Sequence, residues 1–436
     1  MSKIYKISII SALAGFLFGF DTVVISGADQ ELQEIWNTSD IFHGSIVMSM
    51  ALWGTVLGAL VASYPCDKWG RKNTLVFIGI LYLVSALGSA FANNPYMFSF
   101  FRFVGGVGVG LSTIAAPTYI SEIAPTEKRG RLVILYQFNL VFGILIAYTS
   151  NYVFQGFGEQ PWRWMMGVEA LPAFIYLIGL KTVPKSPRWL VVTKKNVSLA
   201  KKIYFEINDK SLSDDELNTF SNNTNNAEIL FSKTYLRPII LAFLISFFNQ
   251  MSGINAFLYY APRIFEIAGL ESNSAFLSSI GIGLINLIFT IIGMYLIDRT
   301  GRRTLLKIGS FGYIISLSMI AISFIYSLEG FFVPLFLFMF IASHAIGQGS
   351  IIWVFTAEIF PNNLRAKGLS FGISVHWILA SLITLLMPSF LSSLSNPGFI
   401  FLFFAFFMIF QYLFTLFIMP ETKNISLEQL SKKLTN

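Results

Sequence analysis

Residues 18–27 read FGFDTVVISG, and they set Asp21 well inside an otherwise apolar run. An aspartate at the centre of a membrane-spanning helix costs roughly 2.5–3.5 kcal/mol, so such a residue marks a functional site by default. Arg102 is its candidate partner. At about 1.5 Å of rise per residue, Asp21 lies roughly 21 Å from the inner face of a 30 Å hydrocarbon layer, and Arg102 roughly 22 Å. Contact with the guanidinium favours the ionised carboxylate, whereas separation in a low-dielectric cavity favours the protonated one. A carboxyl that alternates between those surroundings carries a proton; a static ion pair is the alternative. The same ruler puts Gln137 and Trp353 near the inner edge.

A second set of charges recurs. Asp67-Lys-Trp-Gly70-Arg71-Lys72 has a counterpart in Asp298-Arg-Thr-Gly301-Arg302-Arg303. Glu122-Ile-Ala-Pro125-Thr-Glu-Lys-Arg129 has one in Glu358-Ile-Phe-Pro361-Asn-Asn-Leu-Arg365. Two four-part patterns at nearly equal offset make an internal repeat. Asp67, Arg71, Glu122, Arg129, Asp298, Arg302, Glu358 and Arg365 are expected to form ion pairs between the halves that latch the inner face. Loops that merely orient the chain are the alternative.

The elements that position these residues follow from composition. Of the 436 residues, 55% are hydrophobic and only 12% charged, about half the charge of an average soluble domain. Stretches of about 20 apolar residues mark transmembrane helices. Twelve occur, near 6–28, 45–65, 74–92, 97–120, 133–153, 164–182, 238–262, 275–296, 305–326, 333–355, 369–391 and 400–418. The chain is therefore expected to be an all-α membrane protein. Its net charge of +7 does not imply a nucleic-acid partner, because Arg163 and Arg263 are the only basic residues on one side of the spans, and Arg102 lies within one. The rest lie on the other side, which places both termini in the cytoplasm. The start, MSKIYK and an apolar run, is too long for a cleavable signal peptide and has no small-residue cleavage site. The single cysteine, Cys66, forms no internal disulfide.

After the sixth span, residues 183–237 turn basic and polar, including SLSDDELNTFSNNTNN. They read as a cytoplasmic connector with short helices, between six-helix bundles at 1–182 and 238–436. Two halves with equivalent loops on one face imply a parallel repeat about an axis along the membrane normal.

At this point the motifs carry a family resemblance. FGFDTVVISGA, DKWGRK, RFVGGVGVG with YISEIAPTEKRG, PKSPRWL, NQMSGINAFLYYAP, DRTGRR, AEIFPNNLRAKG and PETK follow one another along nearly the whole chain. The ordered set resembles the sugar porter family of the major facilitator superfamily. The resemblance implies twelve helices, alternating access and a monosaccharide bound between the halves. A sugar's hydroxyls call for amides and its C–H faces for aromatic rings. By resemblance Gln137, Gln250, Asn255 and Asn286 fall on sugar-contacting positions, as do Trp353 and Trp377; Phe18, Asn249, Tyr259 and His376 complete the candidate set. Proton-coupled family members have an aspartate at the position of Asp21, and facilitative glucose carriers have a neutral residue there with the arginine kept.

The chain departs from the family pattern in several places. Asn249-Gln250 stands where many members have two glutamines, Ile144 replaces a second glutamine of the fifth span, and His376 replaces the glutamine before the last site tryptophan. Gly347-Gln348-Gly349-Ser350 occupies a stretch that usually holds two prolines, which bears on whether the tenth span breaks. Lys185 replaces an acidic residue before SPRWL, so one inner-face ion pair cannot form as in relatives. The run GGVGVG lies in an apolar span with no strand before it, so it reads as helix contact rather than a nucleotide loop. His43, His344 and His376 are too widely spaced for a metal set, and no catalytic triad appears. The expectation is a proton-coupled symporter for a hexose or pentose: not an enzyme, without cofactor, monomeric, and multi-pass in the plasma or bacterial inner membrane. A facilitative uniporter, a porter for another polyol such as inositol, and a non-transporting sensor are the alternatives.

Overall fold

A computed structural model of the chain describes residues 3–125, 128–209, 212, 217, 230–328, 330–361, 364–425, 429–430 and 433–434. Twelve helices among them are long and apolar enough to cross a membrane. In order they are Lys3–Gly27, Asp40–Val61, Arg71–Ala90, Pro95–Ile123, Arg129–Phe154, Pro161–Leu180, Lys233–Tyr259, Ser272–Thr300, Arg302–Ile325, Phe332–Glu358, Arg365–Ser393 and Gly398–Phe417. They fall on the twelve apolar stretches of the sequence, and a few helices start at polar caps. Asn94 accepts from the Met97 amide at 2.9 Å with Pro95 as the first helical residue, and Ser186 accepts from the Trp189 amide with Pro187 in that place. A proline loses nothing there, since the first amides of a helix have no internal acceptor. Of the connector, helices Pro187–Val192 and Val197–Asn208 are present. The polar run at 211–226 lies outside the described residues except for Leu212 and Leu217.

The chain forms two compact units, one of Met1–Val24, Met50–Ser150 and Phe154–Asn226, the other of Ile25–Ser49, Asn151–Val153 and Ala227–Asn436. In the first, glycines bring backbones together. A methyl added at Gly106 would stand 1.9 Å from the Ala51 carbonyl oxygen, and one at Gly110 2.3 Å from that of Thr55, so the fourth span lies directly on the second. The GGVGVG run is this contact surface. Gly19 and Gly143 play the same part between the first and fifth spans.

The second unit packs around aromatic rings. Phe257 lies 5.0 Å from Phe401 and 5.1 Å from Phe340, centre to centre. Two of its spans are broken. The seventh divides into Leu236–Gln250, Ile254–Tyr259 and a continuation, Ala261–Ile267, with Gly253 in the left-handed region at φ +82°. The tenth divides into Phe332–Ile346 and Gln348–Glu358 around Gly347, at φ −84° and ψ −101°. The break thus forms without the prolines, at the glycine that stands in their stretch. Segment Ile25–Ser49 seats Gly44 on the Leu385 carbonyl of the eleventh span, where a methyl would lie 2.0 Å from the oxygen.

Candidate transport site

The first unit contains the ion pair that the depth ruler expects. Arg102 donates from Nη1 to Asp21 Oδ1 at 2.5 Å and from Nη2 to the Asp21 carbonyl at 2.8 Å. Both side chains are buried, at 0% and 1% exposure. Gly105, one turn along from Arg102, leaves the room: a methyl there would meet Ser85 Oγ at 2.3 Å and Asp21 Oδ1 at 3.3 Å.

A third charged group belongs to this site and was missed from sequence. Glu169, in the sixth span, is fully buried and acts on both Asp21 and Arg102, with its carboxyl facing that of Asp21. The criterion that singled out Asp21, an ionisable residue inside an apolar span, applies to Glu169 equally and would have found it. Phe18 lies one turn before Asp21 and is buried. Gln137 is half-buried on the fifth span.

The second unit gathers most of the expected polar contacts. Gln250 Nε2 stands 2.9 Å from Asn249 Oδ1 and 3.1 Å from each ring nitrogen of His376, and Asn255 Nδ2 donates to Gln250 Oε1 at 2.9 Å. An amide NH2 has two protons, so one bonds Asn249 and the other an unprotonated nitrogen of His376. Trp353 and Trp377 flank that imidazole, with ring centres 5.1 and 4.7 Å away. Tyr259 is buried one turn past Asn255. Asn286, on the eighth span, accepts from Thr290 at 3.4 Å.

Trp353 lies against His376 beside the amides of the seventh span, on the unbroken helix Gln348–Glu358.

The ion pairs expected between the halves form instead within each half, where each loop repeat closes a circuit of its own. Arg71 donates from Nη1 to the Cys66 carbonyl at 2.9 Å and to Asp67 at 3.0 Å, and pairs through Nη2 with Glu122 at 3.0 Å. Arg302 donates from Nη1 to the Ile297 carbonyl at 3.2 Å and to Asp298 at 3.1 Å, and from Nη2 to Glu358 at 2.9 Å. The intervening glycines match as well. Gly70 and Gly301 have φ +87° and +92° with ψ 153° and 158°, a conformation open essentially to glycine alone. Arg129 is exposed, and Arg365 donates from Nε to the Ala357 carbonyl at 3.0 Å.

The segments after the sixth and twelfth spans complete these circuits, which sequence reading did not foresee. Ser186 donates to Glu122 at 2.5 Å, and Thr422 donates to Glu358 at 2.6 Å. The residue before each hydroxyl differs. Glu421 accepts from the Arg302 and Arg303 amides at 3.0 and 3.1 Å, capping the ninth span. Its counterpart Lys185 has no carboxylate to offer, and among the described residues no carboxylate accepts from the amides that follow Gly70 as Glu421 does from those after Gly301. Lys185 lies instead close enough to Lys72 to repel it.

Comparison with known proteins places this architecture. The family described as "Sugar (and other) transporter" matches residues 7–434. The chain is 32% identical to the arabinose-proton symporter of Bacillus subtilis (strain 168), over 99% of this chain and 95% of that one. It is 31% identical to the D-xylose-proton symporter of Escherichia coli (strain K12), over 98% and 95%. The inward-open structure of the E. coli xylose transporter XylE superposes with a TM-score of 0.88 at 30% identity, covering 99% of this chain and 100% of that one. Twelve spans in this arrangement define a secondary carrier of the major facilitator fold. The chain belongs to the sugar porter family within it. It is a multi-pass membrane transporter of sugars and not an enzyme.

Proposed function

We propose that this protein is a proton-coupled symporter that imports a hexose or pentose by alternating access. Bundles 1–182 and 238–436 rock about the cargo, and the arginine-rich loops and both termini face the cytoplasm of a cell membrane. Asp21 and Arg102 carry the coupling. Phe18, Gln137, Asn249, Gln250, Asn255, Tyr259, Asn286, Trp353, His376 and Trp377 bind sugar, and the protein acts as a monomer without cofactor.

The observation that carries the reading is the buried trio of Asp21, Arg102 and Glu169. One guanidinium balances one carboxylate, so the trio is neutral only when it holds one proton. A site that holds a proton beside an ion pair supports proton coupling over a static Asp21–Arg102 pair. The proton-symporter names of the arabinose and xylose relatives support the same reading. The Asn255–Gln250–Asn249 chain with His376 between two indoles supplies the amides and flat apolar faces that a monosaccharide requires.

Sugar-dependent proton uptake in proteoliposomes, across a panel of pentoses and hexoses, tests the proposal. In the wild type one sugar alkalinises the outside. Asp21→Asn loses that signal and concentrative uptake while still exchanging sugar. Equilibration of sugar with no proton movement in the wild type would make the protein a uniporter, with Asp21–Arg102 a structural pair.

A further inference from the structure

A second buried charge cluster lies at the opposite ends of the spans from the arginine-rich loops. Asp29 and His43, at 1% and 0% exposure, meet through His43 Nε2 and Asp29 Oδ1 at 2.8 Å. Arg263, on the continuation of the seventh span, places Nη1 3.5 Å from Asp29 Oδ2 but gives its hydrogen bond to Gln33 Oε1 at 2.9 Å. Asp29 Oδ2 therefore has no hydrogen bond among the described residues, and its counter-charge is purely electrostatic. All of this lies within the second compact unit.

We propose that Asp29, His43 and Arg263 form a proton-binding site at the outer mouth, in which Arg263 and a proton on His43 are alternative counter-charges to Asp29. The inference rests on the alternating-access reading and its orientation.

Covalent continuity supplies the exchange. Asp29 and His43 follow and precede the first- and second-span helices of the first unit, whereas Arg263 continues the seventh span. With the moving bodies divided at 1–182 and 238–436, as proposed above, opening the outer mouth draws Arg263 away and leaves Asp29 with His43. A buried carboxylate that loses its cation is destabilised unless another positive charge replaces it, and a protonated imidazole already in contact is that charge. Closing brings Arg263 back and makes the proton redundant. The surroundings accept both states: His43 Nδ1 stands 3.4 Å from Thr38 Oγ1, a hydroxyl that donates to a bare nitrogen or accepts from a protonated one. His43 also opens a π-helical stretch, His43–Met48, a rare widening that is common at functional sites.

The other ionisable groups around the cluster do not duplicate this role. Asp40, one turn before His43, is held by Gln33 at 2.7 Å and Ser392 at 2.6 Å, and Glu266 accepts from Gln30. Tyr260 donates to the Thr384 carbonyl at 2.9 Å. Glu31 and Glu34 share the Asp29–Ile35 helix, and the eleventh span brings no ionisable side chain to this end.

The test is pulsed EPR on the full chain in nanodiscs, with spin labels at the exposed positions Ile41→Cys and Glu271→Cys in a Cys66→Ser, Asp21→Asn background. That background keeps Asp21 from supplying the response. Between pH 8 and 5 the long-distance population should grow as pH falls, by at most about tenfold per pH unit for one linked proton. His43→Gln should abolish the pH response while a transported sugar still shifts the distances. Arg263→Gln should leave the long distance dominant at every pH, with the response again lost. A pH response unchanged in His43→Gln overturns the inference, as does a flat wild-type profile that sugar still shifts. Distances that neither sugar nor pH moves overturn the alternating-access reading and this inference with it.

Discussion

Ser186 and Thr422 make the same bond in two copies of one motif: each donates its hydroxyl to the glutamate, Glu122 or Glu358, that also pairs with the loop arginine. The copies differ in burial, since the Glu122 side chain is 3% exposed and that of Glu358 22%. Removing one partner of a buried ion pair costs about 3–5 kcal/mol, because the remaining charge stays out of water. Arg71→Ala should therefore lower the apparent melting temperature in detergent more than Arg302→Ala does. Equal losses would mean that solvent reaches both carboxylates alike.

The Lys185 position predicts a gain. Lys185→Glu offers the start of the third span the carboxylate that Glu421 gives the ninth, and relieves the repulsion with Lys72. A carboxylate at a helix N-terminus contributes about 0.3–1 kcal/mol. The reciprocal Glu421→Lys should destabilise by more, since it also removes the hydrogen bonds to the Arg302 and Arg303 amides. Thermal shift assays on both variants would show opposite signs.

His376 is expected to tune the choice of sugar rather than the fold. His376→Gln keeps a carbonyl that can accept from Gln250 Nε2 but changes what is presented between Trp353 and Trp377. One buried hydrogen bond is worth about 0.5–1.5 kcal/mol, so KM for the preferred sugar should change by up to about tenfold, with a smaller effect on kcat. A variant that loses all sugars equally, with a lowered melting temperature, would place His376 in packing instead.

Gly106 and Gly108 separate contact from composition. A methyl at Gly106 would strike the Ala51 backbone at 1.9 Å, whereas one at Gly108 meets Leu81 Cβ at 3.3 Å and asks for a shift of only a few tenths of an ångström. Gly106→Ala should abolish folded expression and Gly108→Ala should be nearly silent, as read by monodisperse yield on size exclusion.

Cys66 gives a pH-dependent check on the loop before the third span. Burial pushes its thiol up to about 11, and only the thiolate reacts with maleimides. Labelling of the folded wild type at pH 7 should be slow and should rise about tenfold per pH unit toward the alkaline side. Rapid labelling at neutral pH would show that this loop opens in solution.

Much of this was legible in the sequence because it is local. Twelve apolar runs, the charge bias of the loops and each copy of the doubled loop motif lie within a few dozen residues, and the Asp21–Arg102 pair followed from equal depth within one half. What stayed hidden was set by partners distant in the chain. Nothing near Asp29 or His43 announces Arg263, and nothing near Glu122 announces Ser186. Glu169 was within reach of the criterion applied to Asp21, and only its application was missing.

The tails that supply Ser186 and Thr422 bear on ancestry. Pro184-Lys185-Ser186 and Pro420-Glu421-Thr422 occupy the same place after six spans and bond the same glutamate. Duplication of a unit of six spans and the segment after it would leave this record. Each copy still satisfies its own arginine and glutamate, so a chain cut after Asp209 would leave both circuits whole.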